Sequence, residues 1–180
     1  MALLMIAPIV AAAFSPLLTW RGPVYQMAGF AGIAALALML PQPLLTAAPR
    51  ILGIDPARGR RMHRLVGPAL VAAVLLHVAG LWVTSPPDVI DVLLFRSPTP
   101  FSLWGMIGLC AILAAAVLTP RLRVATLRIR RMIHRGLTLF AAPSAVAHTI
   151  LIEGTMEPVT KIALSIAVIA ATALTLRPLR

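Results

Sequence analysis

Acidic residues and cysteine are scarce in this chain. Its 180 residues include five Asp and Glu against sixteen Lys and Arg, and there is a single cysteine, Cys110. One cysteine excludes both a disulfide within the chain and a cysteine-based metal site. Because Cys110 lies in an apolar run, we expect it to be a small buried side chain.

Motifs of the commonest enzyme sites are missing as well. The sequence holds no glycine-rich phosphate loop, no Ser/His/Asp set and no pair of carboxylates within an apolar stretch. No G-x-G-x-x-G follows a predicted strand, which argues against a bound redox dinucleotide. The chemistry of this chain must therefore come from other residue types.

Apolar residues dominate what remains. They make up 60% of the chain, and the mean hydropathy is +0.96, whereas soluble domains are about 45–50% apolar. We predict an all-α integral membrane protein whose residues 1–180 form one domain. Although the net charge is +11, the basic residues cluster at the ends of apolar runs, so membrane lipid is the expected partner and nucleic acid is not.

Six apolar stretches are long enough, or nearly so, to cross a bilayer as helices. They span about residues 2–20, 25–45, 62–83, 101–118, 132–152 and 159–176. The first has no positively charged segment before it, so we expect a retained helix rather than a cleaved signal peptide. The apolar segment 89–95 is too short to span and is expected at the interface. The prediction is a six-helix transmembrane bundle.

Arginine bias predicts the orientation of this bundle. Thirteen arginines fall on one side, against Arg21, Arg96 and Lys161 on the other. The positive-inside rule then places the larger group, and with it both termini, in the cytoplasm. The thirteen are Arg50, Arg58, Arg60, Arg61, Arg64, Arg121, Arg123, Arg128, Arg130, Arg131, Arg135, Arg177 and Arg180.

The only four histidines form two matched pairs inside the apolar helices. His63 and His77 are fourteen residues apart, and so are His134 and His148. Fourteen residues fall about 40° short of four helical turns and rise about 21 Å, so the two histidines of each helix share a face near opposite membrane surfaces. In the predicted topology the two helices run in the same direction, which sets His63 level with His134 and His77 level with His148.

Histidines within a membrane span are usually functional. We interpret each level pair as the two axial ligands of one heme iron, with two hemes stacked across the membrane. Arg64 and Arg135 follow the first histidine of each helix and are candidates for binding the heme propionates, in addition to anchoring the helix ends.

Two alternatives remain open. The histidines could be satisfied polar side chains in a structural subunit without a cofactor. They could also serve a metal or proton transporter. Against a metal permease, about 21 Å separates the histidines of one helix, which leaves two separate two-histidine sites, and that is few ligands for zinc.

These histidines and the arginine-rich lead-in from Leu52-Gly53 to Arg60-Arg61-Met62-His63-Arg64-Leu65 resemble the ferric reductase-like transmembrane domain family. That family includes the membrane parts of ferric reductases and NADPH oxidases, and the heme subunit of the bacterial periplasmic methionine-sulfoxide reductase system. The resemblance implies two b-type hemes that carry electrons across a membrane, here expected to be a bacterial inner membrane.

The larger members of that family continue into a cytoplasmic flavin- and nicotinamide-binding domain. This sequence stops four residues after its last span, at Arg180. We therefore expect the electron donor to be a separate flavoprotein reductase or a membrane quinol. The acceptor stays open among iron, oxygen, a quinone and an outer-side redox protein. The chain would then be the electron-transfer component of an oxidoreductase, and whether it is an enzyme by itself stays open.

Overall fold

The protein is all-helical throughout residues 1–121 and 126–176, which are the residues that the computed structural model describes. Eight α-helices and three short 3₁₀ helices lie within this part of the chain. The α-helices are α1 (Ala2–Ala13), α2 (Pro23–Met39), α3 (Pro41–Ala47), α4 (Pro56–Thr84), α5 (Pro86–Leu93), α6 (Pro100–Arg121), α7 (Leu127–Leu151) and α8 (Pro158–Ala173).

Local sequence explains where these helices begin. Six of the eight start with a proline, whose fixed φ suits the first helical position and whose missing N–H would have no partner there. Side chains cap three starts: Asp55 accepts the N–H groups of Ala57 and Arg58 at 2.8 and 2.9 Å. Glu157 and Thr126 cap α8 and α7 in the same way. Each cap satisfies N–H groups that the helix itself leaves free.

Within the described residues, four helical stretches are long and apolar enough to cross a membrane: Pro23–Ala47, Pro56–Thr84, Pro100–Leu118 and Pro158–Leu176. They correspond to the second, third, fourth and sixth of the six predicted spans. The second is interrupted, because α2 ends at Met39 and α3 begins at Pro41.

The first and fifth predicted spans do not meet the same criterion. The helix α1 has 12 residues, and after it Ser15 and Pro16 begin a separate 3₁₀ helix, Pro16–Trp20. The helix α7 is 25 residues long, but its arginines and histidines lower its mean hydropathy below that of the four stretches above. The six-span count and the position of the termini therefore stay predictions.

Two helix pairs build the interior. The helix α4 packs closely along α2, and α7 packs closely along α6, while α4 and α7 approach each other at few backbone positions. The helix α8 packs against α7 and α1 and contributes Leu164 and Val168, both fully buried, to the core. This arrangement sets the two histidine-bearing helices in separate pairs.

The prediction for Cys110 was wrong. The side chain is exposed, because it lies on the face of α6 that borders a shallow apolar groove shared with Leu137 and Phe140 of α7. In a membrane-spanning helix, apolar side chains face the lipid as well as the neighbouring helices. Hydropathy therefore could not tell the exposed face of α6 from the face that packs against other helices.

Candidate functional site

The structure brings the four histidines together in two level pairs. The ring centroids of His63 and His134 lie 6.0 Å apart with the ring planes at 82°. Those of His77 and His148 lie 6.3 Å apart at 77°. Below, His63–His134 is the first pair and His77–His148 is the second pair. Because each pair joins equivalent positions of α4 and α7, these two helices run in the same direction.

Backbone carbonyls fix the orientation of the second pair. The Nδ1–H of His77 donates to the carbonyl of Ala28 in α2 at 2.8 Å. The Nδ1–H of His148 donates to the carbonyl of Phe101 in α6, also at 2.8 Å. Since a carbonyl can only accept, the proton of each neutral ring is on Nδ1. The Nε2 lone pair of each ring is therefore available to a ligand or a metal.

The first pair is held less firmly. The Nδ1–H of His63 donates to the carbonyl of Gln42 in α3 at 3.2 Å. The Nδ1 atom of His134 is buried and makes no hydrogen bond, although the carbonyl of Ala115 in α6 lies near it. The amide of Gln42 is also buried with neither its Nε2 nor its Oε1 bonded. Unpaired polar atoms thus gather around this pair.

The two candidate arginines lie beside the first pair in sequence and differ in their surroundings. Arg64, next to His63, is exposed, and Arg135, next to His134, is half-buried. The contact between His63 and His134 brings the arginine-rich starts of α4 and α7 to the same end of the molecule. Arg123, Arg177 and Arg180, which the orientation count included, lie outside the described residues.

The opposite end carries four of the five acidic residues, Asp88, Asp91, Glu153 and Glu157. Asp88 lies in α5, directly after α4, and Glu153 follows the end of α7. Glu157 caps the start of α8. The second pair is therefore near the acidic end and the first pair near the basic end, as the sequence predicts.

The carbonyls of Ala28, Gln42, Phe101 and Ala115 were missed from the sequence, and so were two glycines. Gly32 and Gly105 lie directly against the rings of His77 and His148. The sequence does contain a matching spacing. Ala28 and Phe101 are 73 residues apart, and so are Gly32 and Gly105, which is close to the 71 residues between His77 and His148. Nothing in the sequence marks a backbone carbonyl as an acceptor, so this spacing has meaning only once the helix pairs are known.

Comparison with known proteins identifies the family. A family model described as "Ferric reductase like transmembrane component" matches residues 31–145. The chain belongs to this family. The matched ferric reductase-like region contains His63, His77 and His134, and His148 follows three residues after it. No curated protein and no solved structure matches the chain.

Membership of the ferric reductase-like family, together with the four apolar helices, establishes an integral membrane protein. Domains of this family generally bind heme and exchange electrons with a redox partner. Both properties depend on side chains that hold iron within the membrane. In this chain the two histidine pairs are the residues of the right chemical type.

Proposed function

We propose that this protein binds two b-type hemes, one at each histidine pair, and carries electrons across a bacterial inner membrane. The observation that carries the proposal is the separation of the rings. Two imidazoles that share one metal ion, each with a metal–nitrogen bond of about 2 Å, have their ring centroids about 6 Å apart. The centroid distances of 6.0 and 6.3 Å fit this arrangement at both levels.

The surroundings of the rings also suit the heme group. Hydrogen bonds from Nδ1 to backbone carbonyls are the usual way to present Nε2 of a histidine as a ligand. A flat macrocycle needs space between the helices that hold it, and α4 and α7 pack against α2 and α6 rather than closely against each other. Small residues lie between the two histidines of each helix, among them Gly67, Ala141 and Ala145, and small side chains suit this clearance.

The bound heme would supply a reversible one-electron couple, and the protein side chains decide how it is used. Two histidines on each iron leave no open position, which favours electron transfer over binding of oxygen. His63 and His134 hold the group near the basic end, and His77 and His148 hold the group near the acidic end. Arg64 and Arg135 are placed to offset the charge of the propionates at the basic end.

The proposed topology has six spans within one domain, residues 1–180, and both termini in the cytoplasm. The first pair then faces the cytoplasm and receives electrons from a separate flavoprotein reductase or a membrane quinol. The arginines at the basic end would attract an acidic flavoprotein and accelerate its encounter. The second pair passes electrons to an outer-side redox protein. Salt should slow reduction by such a flavoprotein, and a rate independent of ionic strength would exclude electrostatic docking.

The decisive experiment is spectroscopy of the purified full chain in detergent. We expect a reduced-minus-oxidised difference spectrum of a bis-histidine b-type heme and about two hemes per chain. If the protein is purified without heme although heme was supplied in excess during expression, the proposal is wrong. That outcome would favour the metal or proton transporter, although among the described residues no three His, Cys, Asp or Glu side chains group into a metal site.

A further inference from the structure

Two glycines stand where helix backbones meet the rings of the second pair. The carbonyls of Ala28 and Phe101 lie inside α2 and α6, where each also accepts the N–H four residues further along. An additional donor must reach such a carbonyl from the side, past the side chain of that fourth residue. In both helices the fourth residue is glycine, Gly32 after Ala28 and Gly105 after Phe101.

The imidazole rings occupy the space beside both glycines, where a Cβ atom would otherwise lie. A Cβ atom on Gly32 would lie 2.8 Å from Nδ1 and 3.1 Å from Cε1 of His77. A Cβ atom on Gly105 would lie 2.7 Å from Nδ1 and 2.9 Å from Cε1 of His148. Contacts this short are repulsive, so a side chain at either position forces the ring or the helix to shift. We expect that shift to weaken the hydrogen bond between the imidazole and its carbonyl.

We propose that Gly32 and Gly105 are positioning residues for the second pair. By lacking a Cβ, each glycine lets one imidazole donate Nδ1–H to the carbonyl four residues earlier, which holds the ring in one tautomer with Nε2 available. The inference rests on the proposed function in one respect, that Nε2 is the iron ligand. The hydrogen bonds themselves do not depend on heme.

The same arrangement of carbonyl, glycine and histidine occurs twice, once in the α2–α4 helix pair and once in the α6–α7 helix pair. In one half α2 supplies carbonyl and glycine to His77 of α4, and in the other α6 supplies them to His148 of α7. The first pair has no such glycine, because the residue four positions after Gln42 is Thr46 and the one after Ala115 is Thr119. Its hydrogen bonds are correspondingly longer or absent.

Ordinary helix packing does not account for Gly32 and Gly105. Gly80 of α4 is a packing glycine, since a Cβ there would meet the Cβ of Ala28 at 2.7 Å and no histidine ring. Gly29 of α2 and Gly136 of α7 face open space, with nothing within 4 Å of a Cβ. The chain therefore offers two control glycines, Gly29 in the same helix as Gly32 and Gly136 in the helix that carries His148.

The test compares Gly32→Ala and Gly105→Ala with Gly29→Ala and Gly136→Ala in the purified full chain. Loss of an Nδ1–H hydrogen bond makes an imidazole a weaker donor to iron. We expect each of the first two variants to raise the midpoint potential of one heme, leave the other unchanged, and weaken retention of the affected heme about 10-fold. The two control variants should titrate like the wild type. Potentials of Gly32→Ala and Gly105→Ala equal to those of the controls would overturn the inference.

A second measurement separates this inference from the proposed function. Selective ¹⁵N-histidine NMR of the reduced protein has four residues to resolve, and nitrogen shifts report the tautomer of each ring whether or not heme is bound. We expect Nδ1–H forms for His77 and His148, and a change at His77 alone in Gly32→Ala. A wild type without heme but with these signals contradicts the proposed function only, whereas an unchanged His77 signal in Gly32→Ala contradicts the inference. If Gly32→Ala cannot be purified, Gly105→Ala makes the same test at His148.

Discussion

The two histidine pairs have the same spacing along their helices and differ in how they are held. Both rings of the second pair donate to carbonyls at 2.8 Å. In the first pair, His63 donates at 3.2 Å and His134 has a buried Nδ1 atom without a bond. Since α4 and α7 carry both pairs, the difference originates in the helices behind them. The orientation of each histidine pair thus depends on the backbone carbonyls of the neighbouring helices as well as on the histidines themselves.

The unpaired polar atoms reinforce this contrast. Among the described residues, the buried side-chain atoms without a hydrogen bond belong to Gln42, His134 and Ser165. Two of these three residues are at the first pair. Leaving a buried amide or imidazole unpaired costs about 1–3 kcal/mol, so we expect the region around the first pair to be locally less stable than the region around the second.

The largest expected effect comes from removing one histidine at a time. His148→Ala should abolish the heme of the second pair and keep the first, and His134→Ala should do the reverse. Heme content per chain, measured as the pyridine hemochrome, then falls from about two to about one in each variant. Loss of both hemes from either variant would mean that the pairs are not independent sites.

The next effect compares the stability of the α2–α4 and α6–α7 helix pairs through one glycine in each. A Cβ on Gly80 would lie 2.7 Å from the Cβ of Ala28, whereas one on Gly108 of α6 would make ordinary contacts of 3.5 Å or more with α7. We expect Gly80→Ala to lower the free energy of unfolding by about 1–3 kcal/mol because of overpacking. Gly108→Ala should change it by less than about 1 kcal/mol. Denaturant titration in detergent measures both, and equal losses would contradict the tighter fit around Gly80 than around Gly108.

A smaller effect of opposite sign is expected at Gln42. Replacing its unpaired amide by an apolar group of similar size, Gln42→Leu, removes a buried polar group and leaves the carbonyl that His63 uses. We expect the free energy of unfolding to rise by about 1 kcal/mol. A decrease of similar size would show that the amide has a partner in the folded protein, and would remove the contrast drawn between the two pairs.

The smallest effect concerns the helix caps at opposite ends of the molecule. Hydrogen bonds from the backbone N–H of Arg58 lower the pKa of Asp55 below its ordinary value of 3.8. Those from Thr160 and Val159 lower the pKa of Glu157 below 4.5. Each carboxylate therefore contributes stability above its ordinary pKa, and this contribution disappears as pH falls through the lowered value.

The measurement is the thermal midpoint of the wild type, Asp55→Asn and Glu157→Gln between pH 7 and pH 3. Each variant should lose slightly less stability on acidification than the wild type, because one carboxylate no longer has to be protonated. Identical pH profiles for all three proteins would mean that neither cap contributes measurably.

The sequence by itself determined the class of the protein and the pairing of its histidines. Apolar runs of this length are helices in lipid, and the fourteen-residue spacing places two imidazoles on one face of each helix at matching heights. The first conclusion depends on the length of the apolar runs. The second depends on helical periodicity together with the parallel direction of the two helices that the arginine bias predicts. Hydropathy located four of the spans, but it overestimated the first, which Ser15 and Pro16 divide, and it could not assess α7, whose arginines lower its mean hydropathy.

Only the tertiary structure decided what lies behind each ring. That Ala28 and Phe101 supply carbonyls, that Gly32 and Gly105 make room for the imidazoles, and that Cys110 is exposed all depend on which face of α2 or α6 meets a neighbouring helix. In an apolar helix every face is hydrophobic, so composition does not mark the one that packs. The choice is made by close steric fit between residues about fifty positions apart, and such contacts exist only after the helices have assembled.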